Sequence, residues 1–304
     1  MYAPPPLLTC TTYARVPDTL RRERGVSRWT KINHPGRELH SFLEGPAFDR
    51  DGNLYVVDVA FGRIFHISPL GVFAVVAEYD GAPCGLAIHR DGRIFIADWF
   101  RGILVLDPAS GVLTDVVTEF EGKPFLGAND LCFAENGDLY FTDQGLTGLH
   151  DPRGRLYRLS PEGTLVLVVD NIPSPNGLAV AADQQSLLLS VTRDNAVWRV
   201  PIDPTGVAYK VGVYLRLSGG VGPDGLCMAA DGGVAVAHVG KGTVWLFDAS
   251  GEPTARIDTG PGRLSSNVAF RPGTSTLFIT EAGSGEVLRC EVATSGLRLY
   301  SHAD

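Results

Sequence analysis

Apolar residues in this chain come in short runs broken by turn residues, and one arrangement of runs recurs along most of the sequence. The run from Leu54 to Asp58 is followed by one from Gly62 to Ile67, and Ile94 to Asp98 by Gly102 to Leu106. The pattern returns at Leu139 to Asp143 with Gly154 to Leu159, and at Leu187 to Val191 with Ala196 to Val200. It ends with Val234 to His238 before Gly242 to Phe247, and Leu277 to Glu281 before Gly285 to Cys290. A short apolar segment precedes each pair, such as Leu86 to Ile88 or Leu178 to Val180, and a fourth run follows most of them. Runs of this length bounded by Gly, Asp and Pro predict strands. Four strands per unit of about 40–48 residues is the spacing of a propeller blade. Hairpin turns are predicted at Asp51-Gly52, Asp91-Gly92, Asn136-Gly137 and Asp231-Gly232, residue pairs suited to positive φ.

Six units predict an all-β fold, a six-bladed β-propeller with four-stranded antiparallel blades over residues 42–304. Residues 1–41 stand outside the repeat as an N-terminal extension, available to add a strand to the last blade and close the ring. No amphipathic pattern of helical length competes, although the polar stretch from Pro17 to Ser27 has room for a short helix.

Composition narrows the possible partners. The 304 residues carry a net charge of −8 and no Lys or Arg stripe, which argues against nucleic acid. No apolar run approaches the roughly 18 residues of a membrane helix, so no membrane partner is expected. The opening Met-Tyr-Ala-Pro-Pro-Pro lacks the charged start and apolar core of a signal peptide. Cys10, Cys84, Cys132, Cys227 and Cys290 are odd in number and widely spaced, without a CxxC, so no disulfide framework or thiolate zinc site is indicated. A cytoplasmic location is expected, and a monomer or homodimer fits equally.

The innermost strand of each blade lines the central channel, so its first residue stands near the axis. Aligning the repeats puts Glu44, Cys84, Asn129, Asn176, Asp224 and Ser266 there. Glu44, Asn129, Asn176 and Asp224 are oxygen donors of the kind a hard divalent cation takes. Four such ligands leave positions free for water or substrate, as catalysis requires. Gly45, Gly177 and Gly225 follow three of them and permit close backbone approach. Asn-Gly and Asp-Gly are also ordinary turn dipeptides, but the turns of this repeat are already occupied by other pairs. A second ring is predicted where the second strands end on the same face: Asp58, Asp98, Asp143, Val191, His238 and Glu281. Its carboxylates suit hydrogen bonds to loop amides, while His238 is a candidate acid or base or a packed histidine.

Glu44-Gly-Pro, Asn129-Asp130-Leu, Phe141-Thr-Asp143, Pro175-Asn176-Gly-Leu and Pro223-Asp224-Gly-Leu together resemble the regucalcin/gluconolactonase/luciferin-regenerating enzyme family. The resemblance runs from about Phe42 onward. It implies a six-bladed propeller with one axial divalent metal, calcium first and zinc, manganese or magnesium as alternatives, and commonly lactonase activity. By position it implies Glu44, Asn176 and Asp224 as metal ligands, with Asn129 facing metal or substrate. Two positions depart from the family: Gly127 stands where sugar-acid lactonases often carry Arg, and Val191 where Glu is frequent. With Phe61, Trp99, Phe100, Phe125, Leu126 and Leu146 on the expected top loops, the substrate is expected to be less polar than a sugar-acid lactone.

The expected reaction is hydrolysis of a small-molecule lactone by metal-activated water. Asp224 is the first choice of general base, with Asp130 and His238 in reserve, and Asn129 beside the carbonyl. The same metal chemistry also suits a phosphotriester, and a non-catalytic calcium-binding propeller is the remaining reading. No G-x-S-x-G elbow or phosphate-binding loop is present.

Overall fold

The computed structural model describes residues 4–23, 25–203, 205–260 and 264–303; Met1, Tyr2 and Ala3, which open the segment compared with a signal peptide, lie outside them. The chain folds as a six-bladed β-propeller of antiparallel blades. The inner strands are Leu43–Phe48, Pro83–Ile88, Ala128–Phe133, Pro175–Val180, Gly222–Met228 and Ser265–Phe270. Each packs against the next, and the sixth returns to the first.

Burial follows the blade order. In blade one the inner strand and Leu54–Asp58 are buried throughout, whereas the outermost strand, Phe73–Glu78, is half-buried to exposed. Inner strands are covered on both faces by neighbouring blades, and such strands read as near-continuous apolar runs. Val57, Ile64, Leu86, Ile96 and Leu104 form one such interblade core.

The N-terminal extension does two jobs. Thr11–Arg15 pairs antiparallel with Glu286–Glu291 and is the outermost strand of blade six. The ring is thereby closed by residues from opposite ends of the chain. Leu7–Thr9 adds a parallel fifth strand to Pro253–Asp258 of blade five. The extension then crosses to the face where the inner strands begin. Its short helix, Arg28–Asn33, lies just beyond the polar stretch that had room for one, and Ser27 caps it reciprocally with Thr30. Trp29 packs on Phe42 with ring centroids 5.0 Å apart. Among the described residues, no helix is long and apolar enough to cross a membrane.

Every inner strand breaks register near its start. The breaks fall between Glu44 and Ala47, Pro83 and Gly85, Ala128 and Leu131, Pro175 and Leu178, Pro223 and Leu226, and Ser265 and Asn267. A bulge re-aims a side chain out of the pleat. Here it recurs at one phase around the axis.

Candidate functional site

Glu44, Cys84, Asn129, Asn176 and Asp224 line the floor of one cleft of about 940 Å³ on the axis. Trp29, Asn33 and His34 of the N-terminal extension form part of its wall, and the loop from Gln144 to His150 forms another. The four expected ligands are therefore brought together. Ser266, at the same phase, is absent from the floor: its hydroxyl bonds the Leu43 carbonyl at 2.8 Å and ties blade six to blade one.

The two amides have defined orientations. Asn129 Nδ2 donates to Gln144 Oε1 at 3.0 Å, and Gln144 Nε2 donates to Ser174 Oγ at 3.1 Å. This chain commits the Asn129 nitrogen and leaves its oxygen available. Asn176 neighbours the Asp224 carboxylate and opposes the rise of its pKa. Gln144 was not legible as a site residue; the only signal was its place directly after Asp143 at the end of a second strand.

A second tier lies one residue further along each inner strand. Four blades present Gly45, Gly85, Gly177 and Gly225, while the other two present Asp130 and Asn267. The glycines make room for those two side chains. A Cβ on Gly85 would stand 2.5 Å from Asp130 Oδ1, and one on Gly225 only 1.9 Å from Asn267 Oδ1. Asn267 Nδ2 donates to Glu44 Oε2 at 2.9 Å and also serves Asp130, so it links the tiers. Asn267 lies one residue past the axial phase, which falls on Ser266 in blade six, so the axial pattern does not mark it. Glycine at this phase in four of six blades was the available signal.

The two tiers have a strong electrostatic character. Burial raises Glu44 well above its ordinary value, and the Asp224 charge adds to the rise. Burial also lifts Asp224 to about 8, with Asp130 adding to it, and Asp130 to about 7. Among the described residues no positive group is in hydrogen-bond or ion-pair contact with these three buried carboxyl groups, an arrangement that favours an incoming cation.

Other expected site residues lie elsewhere. Asp130 faces a separate chamber of about 160 Å³ toward the opposite face, not the cleft. His238 is fully buried, with Nε2 on the Gly219 carbonyl at 2.9 Å and Nδ1 accepting from Trp245 Nε1 at 3.1 Å. Both ring nitrogens are engaged, so it is a packed histidine without a free position for proton transfer. The rest of the second ring holds loops: Asp58, Asp98, Asp143 and Glu281 accept from the backbone N–H of Phe42, Ala82, Gly127 and Leu264.

The expected apolar mouth also needs correction. Of its six residues only Leu146 lines the cleft. Trp99 and Phe61 pack in an interblade core, Phe125 packs against Phe141, and Phe100 lies under Arg28. Trp99 also explains Gly127: a Cβ there would meet the indole ring at 2.8 Å. The cleft's apolar wall comes instead from Phe42, Val59, Leu149, Val221 and Leu264.

Residues 42–283 match the SMP-30/Gluconolactonase/LRE-like region. The chain belongs to this family. Among SMP-30/gluconolactonase/LRE-like relatives, a protein named lactonase drp35 from Staphylococcus haemolyticus is 31% identical over 268 residues, covering 83% of this chain and 80% of its own. The drp35 lactonase of Staphylococcus aureus strain USA300 is 30% identical over 281 residues, covering 86% and 84%. The fold is shared with a calcium-binding protein, regucalcin, from Agrobacterium tumefaciens, at a TM-score of 0.78 and 23% identity over 98% of this chain and 99% of that one. A gluconolactonase from Xanthomonas campestris superposes at a TM-score of 0.74 with 23% identity, covering 95% and 97%.

The family implies an axial divalent cation, and the donor chemistry here fits one. Among the described residues no three His, Cys, Asp or Glu side chains form a metal-binding group, so a cation held here would need the amide oxygens of Asn129 and Asn176 beside Glu44 and Asp224. An all-oxygen set suits calcium, magnesium or manganese better than zinc, which favours nitrogen and sulfur. The nearest thiol, Cys84, is pushed well up by burial and stays protonated.

Proposed function

We propose that this protein is a lactonase that depends on a divalent cation, calcium in the first place, held by Glu44, Asn129, Asn176 and Asp224. The observation that carries the reading is the convergence of these four oxygen donors, one per blade, on the floor of a single axial cleft. Relatives about 30% identical and named lactonases support the reaction class.

When bound, the cation supplies Lewis-acid polarisation of the lactone carbonyl and acidifies neighbouring water. The chain's own residues do the rest. Asn129, fixed by Gln144 and Ser174, orients the carbonyl. Asp224 takes the proton of the attacking water as general base. Water adds its oxygen to the carbonyl carbon, the ring C–O bond breaks, and the ring oxygen leaves as an alcohol after taking up a proton. Asp224 is preferred to Asp130 and His238 as the base because neither of those lines the cleft. The apolar wall from Phe42, Val59, Leu149 and Val221 favours a ring less hydroxylated than a sugar-acid lactone.

The test is chelation, followed by calcium, manganese, magnesium or zinc added back singly. Ring opening is then followed with a pH indicator on a sugar-acid lactone and an alkyl-substituted lactone. Cation-dependent opening is expected, faster on the alkyl lactone. Replacing Glu44, Asn176 or Asp224 with Ala is expected to abolish opening and weaken cation binding together. An Asp224→Ala variant that binds the cation and still turns over would defeat the base assignment. A cation-dependent rise in melting temperature without opening of any lactone would favour a phosphotriesterase or a calcium-binding propeller.

A further inference from the structure

The rim of the cleft differs in charge from its floor. Among the described residues that line the cleft, the only carboxylates are Glu44 and Asp224, both on the floor. Above them stand two guanidinium groups, Arg193 and Arg37. Neither has a carboxylate within ion-pair distance among the described residues.

Local structure keeps Arg193 unpaired. It sits in the 3-10 turn Thr192–Asp194 that follows the second strand of blade four. The turn is pinned to the next blade by Thr192 Oγ1, which donates to the Pro223 carbonyl at 2.8 Å. The adjacent acid, Asp194, is already taken: Arg216 Nη1 lies 2.7 Å from Oδ1, and Trp198 Nε1 donates to Oδ2 at 3.1 Å. Across the cleft wall, Asp151 is held by Arg153 at 2.7 Å. Gly148 of that wall leaves space beside the Arg193 stem: a Cβ there would lie 3.6 Å from Arg193 Cγ. The Arg193 charge reaches the floor, where it opposes the upward push of burial on Asp224. On a protein of net charge −8, a rigidly based, unpaired guanidinium at a cleft mouth is a specific feature. Its planar fork matches a carboxylate.

We infer that Arg193, with Arg37 across the mouth, is a specificity-determining residue that binds a carboxylate arm of the substrate. The substrate class is then a lactone with a largely apolar ring and one free carboxylate, and ring opening yields a hydroxy-dicarboxylate. The inference rests on the lactonase reading of the same site and deepens it.

The test uses two probes: a γ-butyrolactone bearing a carboxymethyl arm, and the same lactone with that arm capped as its primary amide. The wild-type protein, saturated with calcium, is expected to prefer the carboxylate by at least tenfold in kcat/KM, chiefly through KM. Added salt is expected to erode the preference. In Arg193→Ala the ratio of the two kcat/KM values is expected to fall toward one, with Arg193→Lys in between and Arg37→Ala showing a smaller drop. Calorimetric titration with the opened dicarboxylate is expected to show matching losses of affinity. Equal use of both lactones by the wild type would overturn the inference and leave the lactonase reading intact. So would an unchanged ratio in Arg193→Ala. A shift of the pH profile on both lactones, with the ratio kept, would reassign Arg193 to tuning Asp224. Failure to open either probe while the alkyl-substituted lactone is opened would overturn the inference alone; failure on every lactone with any cation would remove the lactonase reading, and the inference with it.

Discussion

Asp58 accepts a hydrogen bond of 2.7 Å from the backbone N–H of Phe42, two residues ahead of Glu44. The same relationship holds between Asp98 and Ala82, and between Asp143 and Gly127, each at 2.8 Å. The amide in question always lies two residues before an axial position, Cys84 or Asn129. In these blades a carboxylate at the end of the second strand thus fixes the loop from which an axial residue projects. Blade four lacks the carboxylate at Val191 and uses Thr147 Oγ1, which accepts from Ser174 N at 3.0 Å, two residues ahead of Asn176.

These carboxylates differ in their counter-ions, so their removal is expected to cost different amounts. Asp58 is paired with the guanidinium of Arg63, which is only 2% exposed and also donates to the Leu20 carbonyl at 2.6 Å. Asp58→Ala strands a buried charge and is expected to cost about 3–5 kcal/mol. Asp143 faces the more accessible Arg155 at 4.0 Å, and Asp143→Ala is expected to cost about 1–3 kcal/mol for the unsatisfied loop amide. Urea unfolding of both variants checks the order; equal losses would show that the loop bond alone matters.

The glycines of the second tier are expected to be intolerant of a single methyl group. In Gly225→Ala the new Cβ would meet Asn267 Oδ1 at 1.9 Å and its Cα at 2.6 Å. Asn267 holds Glu44, so the substitution is expected to cost about 3 kcal/mol by overpacking and to weaken calcium binding as well. Gly212→Ala, on an outer strand with nothing within 4 Å of the new Cβ, is the control and is expected to change stability by less than about 0.5 kcal/mol. Calorimetric calcium titration alongside unfolding separates the two effects.

Stability of the chelated protein is expected to depend on pH in a particular direction. Burial raises Asp130 to about 7 and Asp224 to about 8 in the cation-free state. Carboxyl groups with raised folded values contribute most when both are protonated, and that contribution is lost as pH rises through 7 to 8. The chelated protein is therefore expected to melt progressively lower between pH 6 and 8.5 than its other groups alone would dictate. Calcium binds the ionised form, so the melting-temperature gain from calcium is expected to grow over the same window. Scans with and without chelator check this; a calcium effect that shrinks with rising pH would contradict the coupling.

Much of this protein could be read from the sequence because its strands are buried in a fixed order. Second strands such as Leu54–Asp58 are buried between blades and carry unbroken apolar runs, and repetition made the phase of Glu44, Asn129, Asn176 and Asp224 visible. Other residues share a local pattern but not a fate. Phe61, Trp99 and Phe125 look like mouth residues by position, yet they pack between blades, Trp99 buried and the other two half-buried. His238 shares the phase of Asp143 but meets Gly219 and Trp245, neither predictable from its own strand.

The sequence by itself determined the six-fold repeat, the blade architecture and the oxygen donors offered to the axis. These depend on short-range periodicity and on residue chemistry, which the chain carries in linear order. Only the tertiary structure decided that residues near Trp29 wall the cleft, that Asn267 braces Glu44 from the opposite end of the chain, and that Asp130 faces away. It also left Arg193 without a partner at the rim. Each of those outcomes is a contact between segments remote in sequence, set by how bulged strands meet around the axis and by which acids are already engaged.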